Sequence, residues 1–235
     1  MIDVQNITFR YSSKSEPVFH NFCLQLEQNK VYGLLGENGT GKSTLLYLLM
    51  GLLRPEEGII TVDNADVSQR KRATLQQMYI VPEEFDLPQM RFTDYVATYR
   101  PFYPAFSDDI LHRCMDEFHL PLDARLNQLS MGDKKKALMS FALATNVRYL
   151  LMDEPTNGLD LPSKKQFRKV IVGQDGSMPS SSSSSCWHCS FSCWRSWAYC
   201  MTLHHAPYAT SGAMEFPSSP SSSLTSPTAP SAEHR

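Results

Sequence analysis

The sequence lacks any apolar run approaching the roughly 18 residues that cross a bilayer, so it predicts no membrane-spanning helix. Its first residues, MIDVQNITFRY, lack the charged-then-apolar order of a secretory signal. Neither charge sign dominates: 22 basic residues stand against 24 acidic ones, which gives no electrostatic reason to expect a nucleic-acid partner. These absences predict a cytoplasmic protein with reduced cysteines.

Lysine is absent from the last part of the chain, from Gln174 onward. All three tryptophans and four of the six cysteines fall in the same part, together with most of the serine. Such a change of composition predicts a boundary near Gly173, with one domain over residues 1–173 and a Ser/Pro/Cys/Trp-rich tail over residues 174–235.

Strand and helix patterns alternate along the first part. Apolar alternation over residues 2–9, VYGLLG, GIITVD, MYIVP and YLLMDE indicate strands, and some of these are apolar on both faces. LLYLLMGLL, FSDDILHRCMDEFHL and residues 130–145 indicate helices, the last with its KKK run exposed. The pattern predicts an α/β fold with a mostly parallel central sheet.

A glycine-rich motif lies between a strand pattern and a helix pattern. GENGTGKST, which fits G-x-x-x-x-G-K-[ST], consists of Gly36, Glu37, Asn38, Gly39, Thr40, Gly41, Lys42, Ser43 and Thr44. Its backbone N–H groups can surround a polyphosphate at the start of a helix. Lys42 supplies a cation for the β- and γ-phosphates, and Ser43 supplies a hydroxyl ligand for Mg²⁺. The alternative is a glycine-rich turn with a surface lysine.

Two carboxylates follow the apolar strand YLLM. Ligands of open α/β sheets sit at the carboxyl ends of strands, which places Asp153 to hold Mg²⁺ and Glu154 to orient or deprotonate a water. The alternative is an exposed acidic turn before Pro155. With the phosphate motif, this pair predicts an ATP-hydrolysing site.

The motifs GENGTGKST, LSMGDKKK and LLMDEPTNGLD, in this order and spacing, resemble those of the ATP-binding subunit of ABC transporters. The resemblance covers Met1 to about Gly173. The piece from FYPAFSDD to TNGLD is most similar to the short ATPases of ABC-2-type exporters. The family resemblance implies a P-loop NTPase fold with an N-terminal antiparallel β part and a helical signature subdomain over about residues 86–145. It also implies ATP and Mg²⁺ as ligands, and a peripheral position on the cytoplasmic face of the membrane through a separate permease.

The resemblance also implies roles for residues outside the two motifs. Tyr11 stands where the family stacks an aromatic ring on adenine. Ser130 and Gly132 match the signature motif that completes the site of a second ATPase protomer, so a homo- or heterodimer is implied. Glu83 replaces the usual glutamine after the YIVP strand, where a carboxylate can still approach Mg²⁺ or water; a solvated acid is the alternative.

Two further acids near the motifs complete the implied set. Asp133 departs from the signature pattern and adds negative charge near a γ-phosphate, which predicts weakened binding there. Asp160, in NGLD, is implied to lie near the junction of the two protomers.

After NGLD the family continues with a helix and then an apolar strand ending in Ser/Thr-His. LPSKKQFRKVIV supplies the helix, but SMPSSSSSSCWHC supplies no strand, and the histidine role is not assigned to His188. The domain is therefore predicted to be incomplete at its C-terminus. A translated frameshift, a disordered extension and a metal site at Cys186, Cys189, Cys193 and Cys200 are the three interpretations of the tail.

Three functions remain open from the sequence. The first is an ATPase subunit that energises transport by a separate membrane protein. The second is a truncated remnant that binds nucleotide but does not drive transport, because the histidine and the last strands are missing. The third is a soluble ABC ATPase acting on ribosomes or DNA. The sequence disfavours this function, because it has neither paired ATPase domains nor long coiled coils.

Overall fold

The computed structural model describes residues 1–28, 30–173, 197–202 and 210–215. The strands are β1 (Ile2–Phe9), β2 (Phe19–Leu26), β3 (Lys30–Leu35), β4 (Glu57–Val62), β5 (Ala65–Asp66), β6 (Met78–Val81), β7 (Tyr149–Met152), β8 (Trp197–Thr202) and β9 (Thr210–Glu215). The helices are α1 (Lys42–Leu49), α2 (Arg72–Leu75), α3 (Phe92–Tyr99), α4 (Asp108–Glu117), α5 (Met131–Ala144) and α6 (Leu161–Gly173).

The strands form two sheets. The N-terminal sheet is antiparallel in the order β2-β1-β4-β5, and the central sheet has the order β6-β7-β8-β3-β9. In the central sheet, β6 pairs in parallel with β7, and β3 pairs in parallel with β9. The predicted α/β class, the antiparallel N-terminal part and the helical part between β6 and β7 are confirmed.

Strand β7 separates two hydrophobic cores. Tyr149 and Leu151 pack with α1 and the N-terminal sheet, while Leu150 and Met152 pack with α3, α4 and α5. All four side chains are buried, because successive residues of a strand point to opposite faces. The strand therefore leads Asp153 and Glu154 out from between the two cores.

A polar cluster around Asp63 connects the N-terminal sheet to the start of β7. The Asp63 carboxylate accepts hydrogen bonds from Arg148 Nη1 at 2.7 Å, from the Tyr149 hydroxyl at 2.7 Å and from the Met1 amino group at 2.6 Å. Burial opposes ionisation of this carboxyl, but the three donors outweigh it and lower its pKa to about 2. The charged form of Asp63 therefore stabilises the folded chain.

We expect Asp63→Asn to lower the free energy of unfolding by about 2 kcal/mol at neutral pH, since the pKa falls from about 3.9 in an unfolded chain to about 2. A depressed folded-state pKa contributes stability that is present above the unfolded pKa and lost as pH falls. The difference between wild type and variant should therefore narrow between about pH 4 and pH 2 in urea unfolding. Asparagine tolerates the positive φ of 48° at this position, so backbone strain does not confuse the comparison.

The exposed Asp86 provides the control for this experiment. Asp86→Asn should leave the unfolding free energy close to wild type. A gap between wild type and Asp63→Asn that stays constant across this pH range would contradict the assignment.

Two segments of the tail differ from the sequence prediction. We expected no strand after Gly173, but β8 pairs antiparallel with both β3 and β7, and β9 pairs with the other edge of β3. The physical reason is that β3 is apolar on both faces and would otherwise present unpaired N–H and C=O groups along both edges. The domain boundary near Gly173 and the three interpretations of the tail stay predictions.

The direction of β8 bears on the expected histidine. Trp197 pairs with Leu35 next to the phosphate motif, whereas Thr202, at the carboxyl end of β8, pairs with Tyr149 at the opposite edge. Strand β8 therefore does not point its carboxyl end at the candidate site. His188 and the four tail cysteines proposed as a metal site do not all lie in the described residues; of them only Cys200 does, in β8.

Candidate active site

Three strands bring their carboxyl ends to one edge of the central sheet. β6 is parallel to β7, and β3 and β7 both run opposite to β8, so β3, β6 and β7 share one direction. The phosphate motif follows β3, Glu83 follows β6, and Asp153 and Glu154 follow β7. The fold therefore gathers at one edge the residues that the two catalytic motifs predicted.

The phosphate motif forms a loop that ends at the start of α1. Gly41 precedes the helix with φ of 96° and provides no side-chain cap for the first N–H groups. A Cβ at this position would lie 2.6 Å from Val18 Cγ1, so both conformation and space require glycine. The uncapped start of α1 leaves backbone donors directed at the loop, which is the arrangement that binds phosphate.

The Lys42 side chain bonds to the backbone at the start of this loop. Its Nζ donates to the Gly36 carbonyl at 2.8 Å and to the Glu37 carbonyl at 2.9 Å, and the residue is buried. The ammonium therefore holds the loop in its curved form. The same position lets it exchange a carbonyl for a phosphate oxygen.

Tyr11 reaches the start of α1 from the N-terminal sheet. Its hydroxyl lies 2.7 Å from Thr44 Oγ1, and its ring packs edge-on against Phe9 with centroids 5.1 Å apart. The residue is nevertheless 63% exposed. The residue is thus held beside the phosphate loop with much of its surface exposed, and its predicted stacking on adenine stays a prediction.

Asp153 carries a buried carboxylate beside the phosphate loop. It is 2% exposed, and its Oδ1 is the buried side-chain oxygen that has no hydrogen-bond partner among the described residues. Burial raises the pKa of this carboxyl, while the Ser43 hydroxyl and the Lys42 charge oppose the rise. An unpartnered buried oxygen next to a hydroxyl is a donor set that suits Mg²⁺, so the residues present fit this cation.

Glu154 begins the turn after β7 with an unusual backbone. Its φ of 43° is left-handed, which a residue with a Cβ seldom adopts, and its carbonyl accepts from the Asn157 N–H at 3.0 Å. Glu83 approaches the same turn: its Oε1 accepts from Asn157 Nδ2 at 2.6 Å. Glu83 is thus bonded to the turn although it is exposed, and its predicted approach to Mg²⁺ or water stays a prediction.

The signature residues lie at the start of α5. The Ser130 Oγ accepts from the Asp133 N–H at 3.2 Å and donates to the Asp133 carboxylate at 2.7 Å. Lys136 Nζ lies 3.2 Å from the same carboxylate. Gly132 packs beside Gly158 and Leu159 in the turn after β7. Within one protomer, Ser130 therefore bonds to Asp133 and Gly132 lies beside the turn after β7, and their predicted role at a second site stays a prediction.

Asp160 has a structural role within the chain. Its carboxylate accepts from the Ser163 N–H at 3.0 Å and so caps the start of α6, and hydrogen bonding from the side chain and backbone of Ser163 lowers the pKa of Asp160. Its predicted place at a protomer junction stays a prediction.

The sequence prediction of an exposed lysine run was wrong, and it missed one asparagine. We expected residues 134–136 to be exposed, but Lys134 and Lys136 are half-buried, and Lys135 is 4% exposed and lies against the turn after β7. Its helical spacing from Leu138 and Ala142, both buried on α5, was the signal that could have revealed this. Asn157 gave no such signal, because its partner Glu83 is 74 residues away in sequence.

Comparisons with known proteins show the family to which this chain belongs. The family model described as ABC transporter matches residues 19–157. An uncharacterized ABC transporter ATP-binding protein of Methanocaldococcus jannaschii is 32% identical over 181 residues, covering 73% of this chain and 70% of the relative. The cobalt import ATP-binding protein CbiO of Salmonella paratyphi A is 32% identical over 190 residues, covering 73% of this chain and 66% of CbiO.

A solved structure shows the same fold. The dimeric cassette of a bacterial ABC transporter superposes with a TM-score of 0.62 at 24% identity, over 73% of this chain and 81% of that one. The chain belongs to the ABC transporter family as an ATP-binding subunit. The finer placement among ABC-2-type exporters stays a prediction.

Among the helices of the described residues, none combines the length and apolar character needed to cross a membrane.

Proposed function

We propose that this chain hydrolyses ATP with Mg²⁺ at the edge formed by β3, β6 and β7. The observation that carries the proposal is the buried, unpartnered Oδ1 of Asp153 beside Ser43. A bound Mg²⁺ would neutralise phosphate charge as it develops. Ser43 and Asp153 would hold the ion. Glu83, in the loop after β6 at the same edge of the sheet, would be a further ligand.

The remaining roles follow from the positions of the side chains. Lys42 and the N–H groups of residues 36–44 would bind the phosphates, and Tyr11 would stack on the adenine. Glu154 would orient and deprotonate the attacking water, because it follows the strand that carries the metal ligand. In such a reaction, catalysis comes mainly from positioning and charge stabilisation, which these groups supply.

Chelation of Mg²⁺ tests the metal role. We expect wild-type affinity for ATP to fall about tenfold or more on removal of Mg²⁺, since Asp153 and Ser43 would hold the ion and the ion would offset the charge of the phosphates. Asp153→Asn should bind ATP weakly and show little dependence on Mg²⁺, because a neutral amide is a poorer ligand. Calorimetry with and without the ion gives both affinities. The exposed Asp86→Asn should behave as wild type.

A folded protein whose ATP affinity does not depend on Mg²⁺ would contradict the metal role. Steady-state hydrolysis, measured on the same preparation, separates an active subunit from the remnant. The remnant would bind ATP with the expected affinity and release no phosphate.

A second protomer would complete the site through Ser130 and Gly132. Met131, between them, is 64% exposed, and Leu161, at the start of α6, is 68% exposed. Met131 lies next to the signature serine and Leu161 lies next to Asp160, so these exposed apolar side chains are candidates for burial against a partner. The cassette of similar fold is a dimer, which supports the association of two protomers.

The membrane partner would be a separate permease on whose cytoplasmic side this subunit acts. CbiO is a cobalt import ATP-binding protein, and its resemblance to this chain supports a role in transport. It assigns to this chain neither cobalt nor a direction of transport.

A further inference from the structure

Lys135 lies under the turn that carries Glu154. Its Nζ donates to the Glu154 carbonyl at 2.8 Å and to the Asn157 carbonyl at 3.0 Å, and the residue is 4% exposed. One ammonium group thus grips both ends of the turn. Because α5 carries this lysine, the turn is fixed to the helix that begins next to Ser130.

One of the two hydrogen bonds from Lys135 is made to Glu154, whose backbone conformation is unusual for a residue with a side chain. Glu154 has a φ of 43°, and a residue other than glycine keeps this left-handed backbone conformation only where neighbouring contacts stabilise it. Its carbonyl accepts from both Lys135 Nζ and the Asn157 N–H at 3.0 Å, which uses both lone pairs of that oxygen. The peptide after Glu154 is therefore fixed in orientation, and with it the direction of the Glu154 side chain.

A second contact extends the same connection to β6. Asn157, whose carbonyl Lys135 binds, donates from Nδ2 to Glu83 at 2.6 Å. Helix α5, the turn and the loop after β6 are thus connected by three hydrogen bonds. All three meet at residues 154–157.

A buried ammonium is costly, and packing alone does not require one here. An apolar side chain on the same helix face would join Leu138 and Ala142 without desolvating a charge. Burial lowers the pKa of Lys135, and the acids Glu83, Glu154 and Asp153 oppose the fall. The lysine therefore sits where acidic charge compensates it and where two backbone carbonyls need donors.

We propose that Lys135 is a positioning residue for ATP hydrolysis, which holds Glu154 in its reactive orientation through the two carbonyls of the turn. The inference rests on the proposed role of Glu154. Lys135 itself contacts neither nucleotide nor water in this scheme. Its loss should therefore affect turnover rather than nucleotide affinity.

Two substitutions in the full-length chain test this. In Lys135→Met the side chain keeps its approximate length but donates no hydrogen bond, so kcat should fall about 10- to 100-fold while KM for ATP changes less than about threefold. In Lys135→Gln an amide donor replaces the ammonium, so kcat should recover to within about fivefold of wild type. Lys169→Met is the control, because it removes a lysine whose ion pair with Glu117 is exposed, and kcat should not change.

Each result decides the proposal. A Met variant with kcat within threefold of wild type, or a folded Gln variant as slow as the Met variant, would overturn it. If Lys135→Met does not fold, as judged by circular dichroism, the Gln variant alone decides, and a loss of kcat greater than about fivefold would overturn the proposal. If Glu154→Gln itself keeps full turnover, the proposed site fails; if only the Lys135 variants are normal, the site stands without this residue.

Discussion

Glu154→Gln is expected to bind ATP with near wild-type affinity and to lose about 100- to 10,000-fold in kcat, the range that general-base catalysis contributes. Glutamine keeps the size and hydrogen-bonding capacity of the side chain but cannot accept a proton at neutral pH. The backbone contacts of residue 154 with Lys135 and Asn157 do not depend on the carboxylate, so the turn should persist. Binding and hydrolysis should therefore separate in this variant.

Single-turnover phosphate release and equilibrium ATP binding measure the two properties. The matched control is Glu84→Gln, an exposed acid at the same edge of the sheet, whose turnover should remain near wild type. Unchanged turnover in Glu154→Gln would reassign the base, and Glu83, which is bonded to the same turn, would be the next residue to test.

Lys42→Met is expected to weaken ATP binding about 100-fold or more, because a charge-assisted contact to the phosphates is lost in a nearly buried position. The methionine also leaves the carbonyls of Gly36 and Glu37 without the donor that holds the loop. Affinity should therefore fall through both the missing charge and the loosened loop. The kcat of Lys42→Met can be measured only if the weakened variant can still be saturated with ATP.

Lys30→Met serves as the comparison, since this lysine forms an exposed ion pair with Glu27 at the start of β3. Equilibrium binding of ATP, with melting temperatures for both variants, distinguishes lost contacts from lost folding. A folded Lys42→Met variant with wild-type affinity would remove Lys42 from the phosphate site.

The local parts of the site could be predicted because their chemistry is written in short segments. GENGTGKST fixes a loop and a helix start through its own glycines, and YLLM followed by two acids fixes a buried strand with its ligands at one end. For both motifs, sequence spacing and spatial position coincide. The edge at which they meet then follows from the common direction of β3 and β7.

Contacts between distant segments could not be predicted in the same way. Asp63 meets Arg148 across 85 residues, and Glu83 meets Asn157 across 74 residues. Such pairs depend on how strands are ordered in space, which hydrophobic periodicity does not encode. Lys135 was misjudged for a related reason: a run of three lysines indicates a solvated face, and only the turn opposite it makes burial favourable.

The pairing of Ser130 with Asp133 carries a consequence for how two subunits would associate. The Ser130 hydroxyl could donate to a partner's γ-phosphate only after its hydrogen bond to the Asp133 carboxylate breaks. Because one hydrogen bond replaces another, the net gain in binding free energy would be small. The Asp133 carboxylate, which also forms an ion pair with Lys136, would repel the negatively charged phosphate. Engagement of the two subunits would then be brief and easily reversed, with each subunit retaining its nucleotide mainly through its own loop.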